Sequence, residues 1–298
     1  YSTMSQGITN VNPHLKNLEV DFLFHLGLNS SMDLKAMFGD VRYVIMQGSP
    51  ERARDLAFFL AKEFDVPFDG KAIGKTERFS LYKVKNVICV SHGMGMPSLS
   101  ILLHEMYKLL YYAGSLEKCT LIRSGTCCGF GVAPGTVAIT TESCDTELNH
   151  FYSQAYLDTR CDFPSIAEKS LVRHLQEVAE ENGIPTVTGC TISADGFYED
   201  EARTDGFFCE FGEEEKFAYF KKIQEAGVCN MEMESLIFLA FALRAHVRAG
   251  VACSVLIDRL QGDQIKSSGN EESLVLANWK LLCGLVKKYP EGWEGCEW

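Results

Sequence analysis

Short apolar runs rich in β-branched residues alternate along this chain with segments of helical period, and that alternation constrains the fold more than any other feature. VRYVIMQG (41–48), RFSLYKV (78–84), NVICVSHG (86–93), CTLIRSG (119–125), GTVAITTES (135–143), TVTGCTIS (186–193) and VRAGVACSVLI (247–257) read as buried or half-buried strands. Between them, Pro50–Phe64, Pro97–Ala113, Ser165–Glu181, Glu213–Ala226, Met233–Arg244 and Glu271–Tyr289 repeat apolar residues at three and four, as helices with one buried stripe do. This order predicts an α/β three-layer sandwich, a central sheet flanked by helices. RFSLYKVKNVICV reads as a hairpin, which makes the sheet mixed. No repeat, low-complexity tract or Pro/Gly/Ser linker interrupts the 298 residues, so a single domain over 1–298 is expected, with 1–20 as a loosely ordered arm. Ligands of such sheets gather at the carboxyl ends of the strands.

Charge narrows the partners. With 28 basic and 40 acidic residues the net charge is −12, which leaves no basic stripe for a nucleic acid backbone. A bound anion therefore needs a local, built site. The longest apolar runs, LIFLAFAL (236–243) among them, are far short of the roughly 18 residues of a membrane span, so no membrane partner is expected. The opening YSTMSQGITNVNPHL is polar, without the apolar region of an export signal, and a cytoplasmic location is expected. The 12 cysteines include no C-x-x-C pair and lie mostly in apolar segments, which reads as reduced thiols without zinc-ligand spacing.

Three glycine-bearing segments follow strands. In QGSPERARDLAFFL, Gly48 ends a strand, Ser49 is placed as N-cap, Pro50 as first helical residue and Arg52 in the first turn. A cation there opposes the helix dipole, so Arg52 either reaches a nearby carboxylate or helps to bind an anion with the free backbone N–H groups. SHGMGMPSLSILLHE (91–105) lacks the third glycine of a dinucleotide loop, because Met96-Pro97-Ser98 starts a helix there. RSGTCCGFG reads as another glycine-rich turn, carrying Arg123 and Thr126 as donors for anionic oxygens. GVCNMEMESLIFLAF sets Glu232 and Glu234 at a strand-to-helix junction, where Glu234 either caps the helix or accepts paired hydroxyls such as those of a ribose. ISADGFYEDEARTDG offers Phe197, Tyr198, Glu201 and Arg203, either an exposed acidic loop or an aromatic surface with polar edges for a planar heterocycle. His25 in DFLFHLGL is a lone histidine on an apolar stretch.

FGDV (38–41), GSPER (48–52), SHGMGMPSLSILLHE, RSGT (123–126), DGFYE (195–199), NMEMES (230–235) and RLQGDQI (259–265) occur in one order. In these motifs the chain resembles uridine phosphorylases of the eukaryotic type, within the nucleoside phosphorylase superfamily. The resemblance implies a homodimer with shared active sites, no metal or organic cofactor, and phosphate as co-substrate. It implies phosphate binding by Gly48, Arg52, Arg123 and Thr126, joined by Arg78 from the neighbouring subunit. His25 of that neighbour would meet the ribose 5′-hydroxyl, Glu234 the 2′- and 3′-hydroxyls, with Met233 against the sugar. Phe197 would pack on the nucleoside, Leu256, Ile257 and Ile265 would wall the base pocket, and Arg203 would donate to a uracil carbonyl. Arg52, Arg123 and Arg203 would be the catalytic cations.

Two positions depart from that pattern. Glu201 stands where the family carries a glutamine that reads uracil. An ionised carboxylate only accepts, whereas the amide also donates; a protonated carboxyl restores one donor. Cys127-Cys128 replaces Ser-Gly, which places side chains where the turn is expected to approach the base closely.

Overall fold

The run Tyr43–Gln47 is buried at every position, as a strand flanked by strands and covered by helices must be. The structure, a computed structural model, describes residues 11–74, 76–265 and 271–298, so the first half of the expected N-terminal arm lies outside the described residues. A short ribbon of β1 (Phe22–Leu23) and β2 (Leu28–Asn29) leads into α1 (Leu34–Phe38), β3 (Tyr43–Gln47) and α2 (Pro50–Glu63). The hairpin β4 (Leu81–Val84) and β5 (Val87–Ser91) precedes α3 (Met96–Ala113), β6 (Thr120–Gly129) and β7 (Val137–Cys144). A second hairpin, β8 (Phe151–Tyr156) and β9 (Thr159–Pro164), is followed by α4 (Lys169–Glu181), β10 (Thr186–Ser193) and α5 (Glu213–Glu225). The chain ends in β11 (Val228–Glu232), α6 (Ser235–Ala245), β12 (Arg248–Asp258) and α7 (Glu271–Lys288).

Eight strands form one mixed sheet in the order β11-β10-β7-β12-β6-β3-β5-β4. Antiparallel pairing of β4 with β5 bears out the expected hairpin. The sheet also curls on itself, because β11 pairs with β10 along one side and with β6 at Asn230–Gly129 and Met231–Cys128 along the other. α4 and α7 pack together over β12, while α3 and α6 pack together and α6 lies on β7, β10 and β12. Leu, Ile, Val and Phe side chains of both helical pairs and of the strands between them make one continuous core. A smaller core, with Phe130, Ile192, Phe220 and Met231, lies under α5. No helix among the described residues is long and apolar enough to cross a membrane.

Three expected elements are redrawn. RSGTCCGFG is strand rather than turn, since β6 runs on to Gly129. Gly125 is there for space: a Cβ on it would lie 2.4 Å from Arg123 Nη1. The helix expected from Ser165 starts at Lys169, where the Glu168 side chain accepts from the N–H groups of Ser170 and Leu171. Arg78 lies before β4 rather than in it, exposed, with its N–H donated to Thr76 Oγ1 at 3.0 Å.

Candidate active site

The carboxyl ends of β3, β5, β6, β10 and β11 converge, and the strand-end turns bring most of the singled-out residues to that edge. Ser49 caps α2 by accepting from the Arg52 N–H at 3.2 Å, as the Gly-Ser-Pro order predicts. That cap turns the Arg52 side chain toward β6, where Nη1 donates to Thr126 Oγ1 at 3.4 Å. Gly48 lies beside the next strand-end loop, with Gly93 O 3.7 Å from where a Gly48 Cβ would sit. Gly93 and Gly95 both take positive φ, 76° and 84°, which lets the backbone double back between β5 and α3.

Arg123 is the centre of the charge array. Its Nη1 lies 2.8 Å from Glu232 Oε2 and donates to Cys253 Sγ at 2.9 Å, while Nη2 donates to Glu234 Oε2. The two glutamates divide the roles that the sequence left open. Glu232 is the cap of α6, accepting from the N–H groups of Glu234 and Ser235 at 3.0 and 2.9 Å and from the Ser235 hydroxyl. Glu234 instead reaches across to α3 and accepts the Gly95 N–H at 2.6 Å. Burial penalises the Glu234 anion, but Arg123 and the Gly95 N–H outweigh it and hold the carboxyl below its ordinary value. Burial lifts Glu232, with Glu234 adding to the rise and Arg123 opposing it. His92, fully buried beside this array, is pushed down to about 4 by burial and is therefore neutral near pH 7.

The base-edge candidates occupy the loop after β10. Ala202 adopts φ 52°, a left-handed conformation that costs an alanine about 1–2 kcal/mol. On one side of it Glu201 is buried, and on the other Arg203 packs 4.5 Å over the Phe197 ring and 5.6 Å from Tyr198. Arg203 is also clamped by Asp205, its Nε and Nη2 donating to the two carboxylate oxygens at 2.8 and 2.7 Å. Burial raises Glu201 to about 8, with Glu232 and Glu234 adding to the rise against Arg259 and Arg203. The carboxyl is thus mainly protonated at neutral pH.

Arg259 lies at the base-edge loop although its sequence position did not single it out. It is fully buried, 3.8 Å from Glu201 Oε2, and its Nη2 donates to the Ala202 carbonyl at 3.1 Å. Asp263 anchors it at 3.0 Å and also holds Lys216 at 2.8 Å. Arg259 opens the RLQGDQI motif, but the 3-10 turn there ends at Gln261, so no helical spacing marks its pairing with Asp263. Cys128 needs no special backbone: it lies in extended β6, buried, with Sγ 3.6 Å from the Met231 carbonyl. Burial and the nearby Glu201 raise its thiol to about 12. Leu256 and Ile257 are half-buried at a bulge of β12, Met233 is half-buried before α6, and Ile265 is exposed.

His25 is not part of this cluster. Its ring Nδ1 lies 2.6 Å from Glu105 Oε1, and its backbone N–H is donated to the same carboxylate. Glu105 is ten residues along α3 from Gly95, which at 1.5 Å per residue is about 15 Å from the Glu234 contact. Arg78 is exposed and adjoins Phe79, whose ring is 6.0 Å from that of His25.

Residues 42–282 match the family model described as the phosphorylase superfamily. The uridine and thymidine phosphorylase of Caenorhabditis elegans is 41% identical over 247 residues, 83% of either chain. The inactive uridine phosphorylase B of Schistosoma mansoni is 35% identical, covering 89% of this chain and 90% of its own. The crystal structure of Schistosoma mansoni uridine phosphorylase in complex with 5-fluorouracil superposes with a TM-score of 0.89 at 35% identity, over 93% of this chain and 98% of that one. Sequence and fold agree along nearly the whole length, and this chain belongs to the phosphorylase superfamily.

Proposed function

We propose that the chain is a uridine phosphorylase, converting uridine and phosphate to uracil and ribose 1-phosphate in pyrimidine salvage in the cytoplasm. The observation that carries this reading is the Arg123–Glu234–Gly95 array, with Arg52 bonded to Thr126 farther along β6 and Glu201 near enough to feel the Glu232 and Glu234 charges. Phosphorolysis of an N-glycosidic bond builds positive charge on the sugar and negative charge on the departing base. Phosphate is held by Arg52, the Gly48 turn and Arg123, whose Nε is a buried donor without a partner among the described residues. It serves as nucleophile and counter-charge at C1′, so the step requires no protein nucleophile and no organic cofactor. Glu234, kept ionised, accepts the ribose 2′- and 3′-hydroxyls.

At the base edge, protonated Glu201 donates through its O–H and accepts through its carbonyl, which reproduces the two faces of an amide. Arg259 sets the position of that carboxyl. Arg203 donates to the neighbouring uracil oxygen and lies over Phe197. His25, bonded to Glu105 far along α3, is too remote to serve the site of its own subunit, which supports a homodimer in which each chain completes its neighbour's ribose subsite, with Arg78 lent to the phosphate subsite.

A second reading rests on the Arg203–Asp205 clamp, which occupies donors that uracil would need. In it the chain keeps phosphate and ribose binding but serves another ligand, as an impaired or altered-specificity paralogue. Uracil release from uridine, measured with and without phosphate from pH 5 to 8, separates the two. Phosphate-dependent release establishes phosphorolysis. No release at any pH from protein whose melting temperature phosphate still raises overturns it and favours the second reading.

A further inference from the structure

A second cluster of ligating side chains lies away from the charged array. Cys144 ends β7, Cys190 lies in β10, and His150 ends the loop that leads into β8. The two sulfurs are 3.5 Å apart, and the ligand atoms of all three residues lie within 4.8 Å of one another. We propose that Cys144, Cys190 and His150 form a Zn2+ site. Tetrahedral zinc with Zn–S bonds of about 2.3 Å sets two sulfurs about 3.8 Å apart, close to the spacing found.

Several features converge on this reading. The strand pairing of Cys190 shifts register on both of its sides, against Gly189 in the ladder to β7 and against Thr191 in the ladder to β11. Such bulges re-aim a side chain. The intervening loop is built to return His150 to Cys144: Asp145 accepts from the N–H groups of Glu147 and Asn149 at 2.9 and 2.8 Å, and Leu148 takes φ 70°. Glu142 Oε2 lies 3.1 Å from His150 Nδ1, which gives the imidazole the carboxylate partner that metal-bound histidines carry and leaves Nε2 as the ligand nitrogen. Both cysteines are buried and His150 is exposed, so the cation enters from the histidine side and water completes its fourth position.

Binding converts two thiols to thiolates and releases two protons, Zn2+ + 2 RSH giving Zn(SR)2 and 2 H+. Its consequence is structural. Ser143, next to Cys144, hydrogen-bonds Ser235 at 2.8 Å, and Ser235 caps onto Glu232 of the charged array. A cation here fixes the end of β7 to β10 and firms the base on which α6 and Glu232 stand. The proposal is independent of the substrate assignment.

The test is titration of the reduced, chelator-treated protein with Zn2+ and, as a spectroscopic probe, Co2+. Stoichiometric uptake, a sulfur-to-cobalt charge-transfer band and tetrahedral visible bands displaced by Zn2+ are expected. Cys190→Ser and His150→Ala should abolish the band, and Glu142→Gln should weaken affinity roughly 10–100-fold. Cys296→Ser, at an exposed cysteine elsewhere, should change nothing. Because His150 is exposed, His150→Ala keeps the test decisive if the buried cysteine variant misfolds. No stoichiometric uptake, or equal uptake by His150→Ala and the parent, overturns the site.

Discussion

The Glu234 carboxylate bridges two helix starts, taking the Gly95 N–H before α3 at 2.6 Å while it precedes α6 in the chain. Its second oxygen is held by Arg123. The carboxylate proposed to accept the ribose hydroxyls is therefore fixed by a backbone donor on one side and a cation on the other. Such preorganisation lets an acceptor serve a transition state without rearranging.

Replacement of Glu234 by Gln keeps an acceptor for Gly95 but removes the charge facing Arg123. Hydrogen bonds to charged groups are worth about 1.5–3 kcal/mol each, so kcat/KM for uridine should fall roughly 10–100-fold. Steady-state kinetics checks it, and unchanged kcat/KM removes Glu234 from ribose binding.

Glu201 should make activity pH-dependent. Burial raises its carboxyl to about 8, so the donating, protonated form prevails below that value and is lost as pH rises through it. Uridine turnover should fall across that window in the parent. In Glu201→Gln it should stay level, with turnover higher than the parent's above pH 8 and phosphate affinity unchanged. The sign for stability is the same. A carboxyl raised in the fold favours the folded state below its unfolded value near 4.3 and loses that contribution as pH climbs toward 8. Glu201→Gln should therefore melt higher than the parent at alkaline pH. Parallel pH profiles of turnover for the two proteins would refute the amide mimicry.

The residues that were legible in the sequence are those governed by local rules. Ser49 and Arg52 follow from cap chemistry, and the strands and helices follow from period. The sheet edge that gathers the site follows from the strand-helix alternation. What was not legible depends on residues far apart in the chain. Arg259 lies 3.8 Å from Glu201 although 58 positions separate them, and nothing local marks that meeting. Gly125 carries no turn; the demand on it comes from the Arg123 side chain two residues back. The β8–β9 hairpin escaped because its tip is Leu157-Asp158, without the Asn-Gly or Asp-Gly signal, and Leu157 takes φ 55° unaided by glycine. The order of Cys144, His150 and Cys190 hides a cluster that only strand register assembles.

Gly125→Ala should injure the site without touching substrate. The added Cβ would fall 2.4 Å from Arg123 Nη1, so the guanidinium must move off Glu232 and Glu234. Overpacking costs typically 1–3 kcal/mol, and displacement of Arg123 exposes two buried carboxylates to each other. A lowered melting temperature and a weakened phosphate KM are expected together. A variant that melts and turns over like the parent would show that Arg123 has room to spare.

Shared sites can be tested by mixing two damaged subunits. In a homodimer, His25→Ala removes the residue each chain lends, and Glu234→Ala removes one each chain keeps. Either variant alone should be strongly impaired. After co-refolding, a hybrid dimer contains one site with an intact Glu234 and an intact borrowed His25, and one site lacking both. Random pairing makes about half of the dimers hybrid, with one working site in two, so about a quarter of parental activity should return. Recovery that scales with the hybrid fraction supports lending of His25 across the interface. If activity stays at the level of the two variants measured apart while hybrid dimers form, His25 acts within its own chain or not at all, and its bond to Glu105 is a structural one.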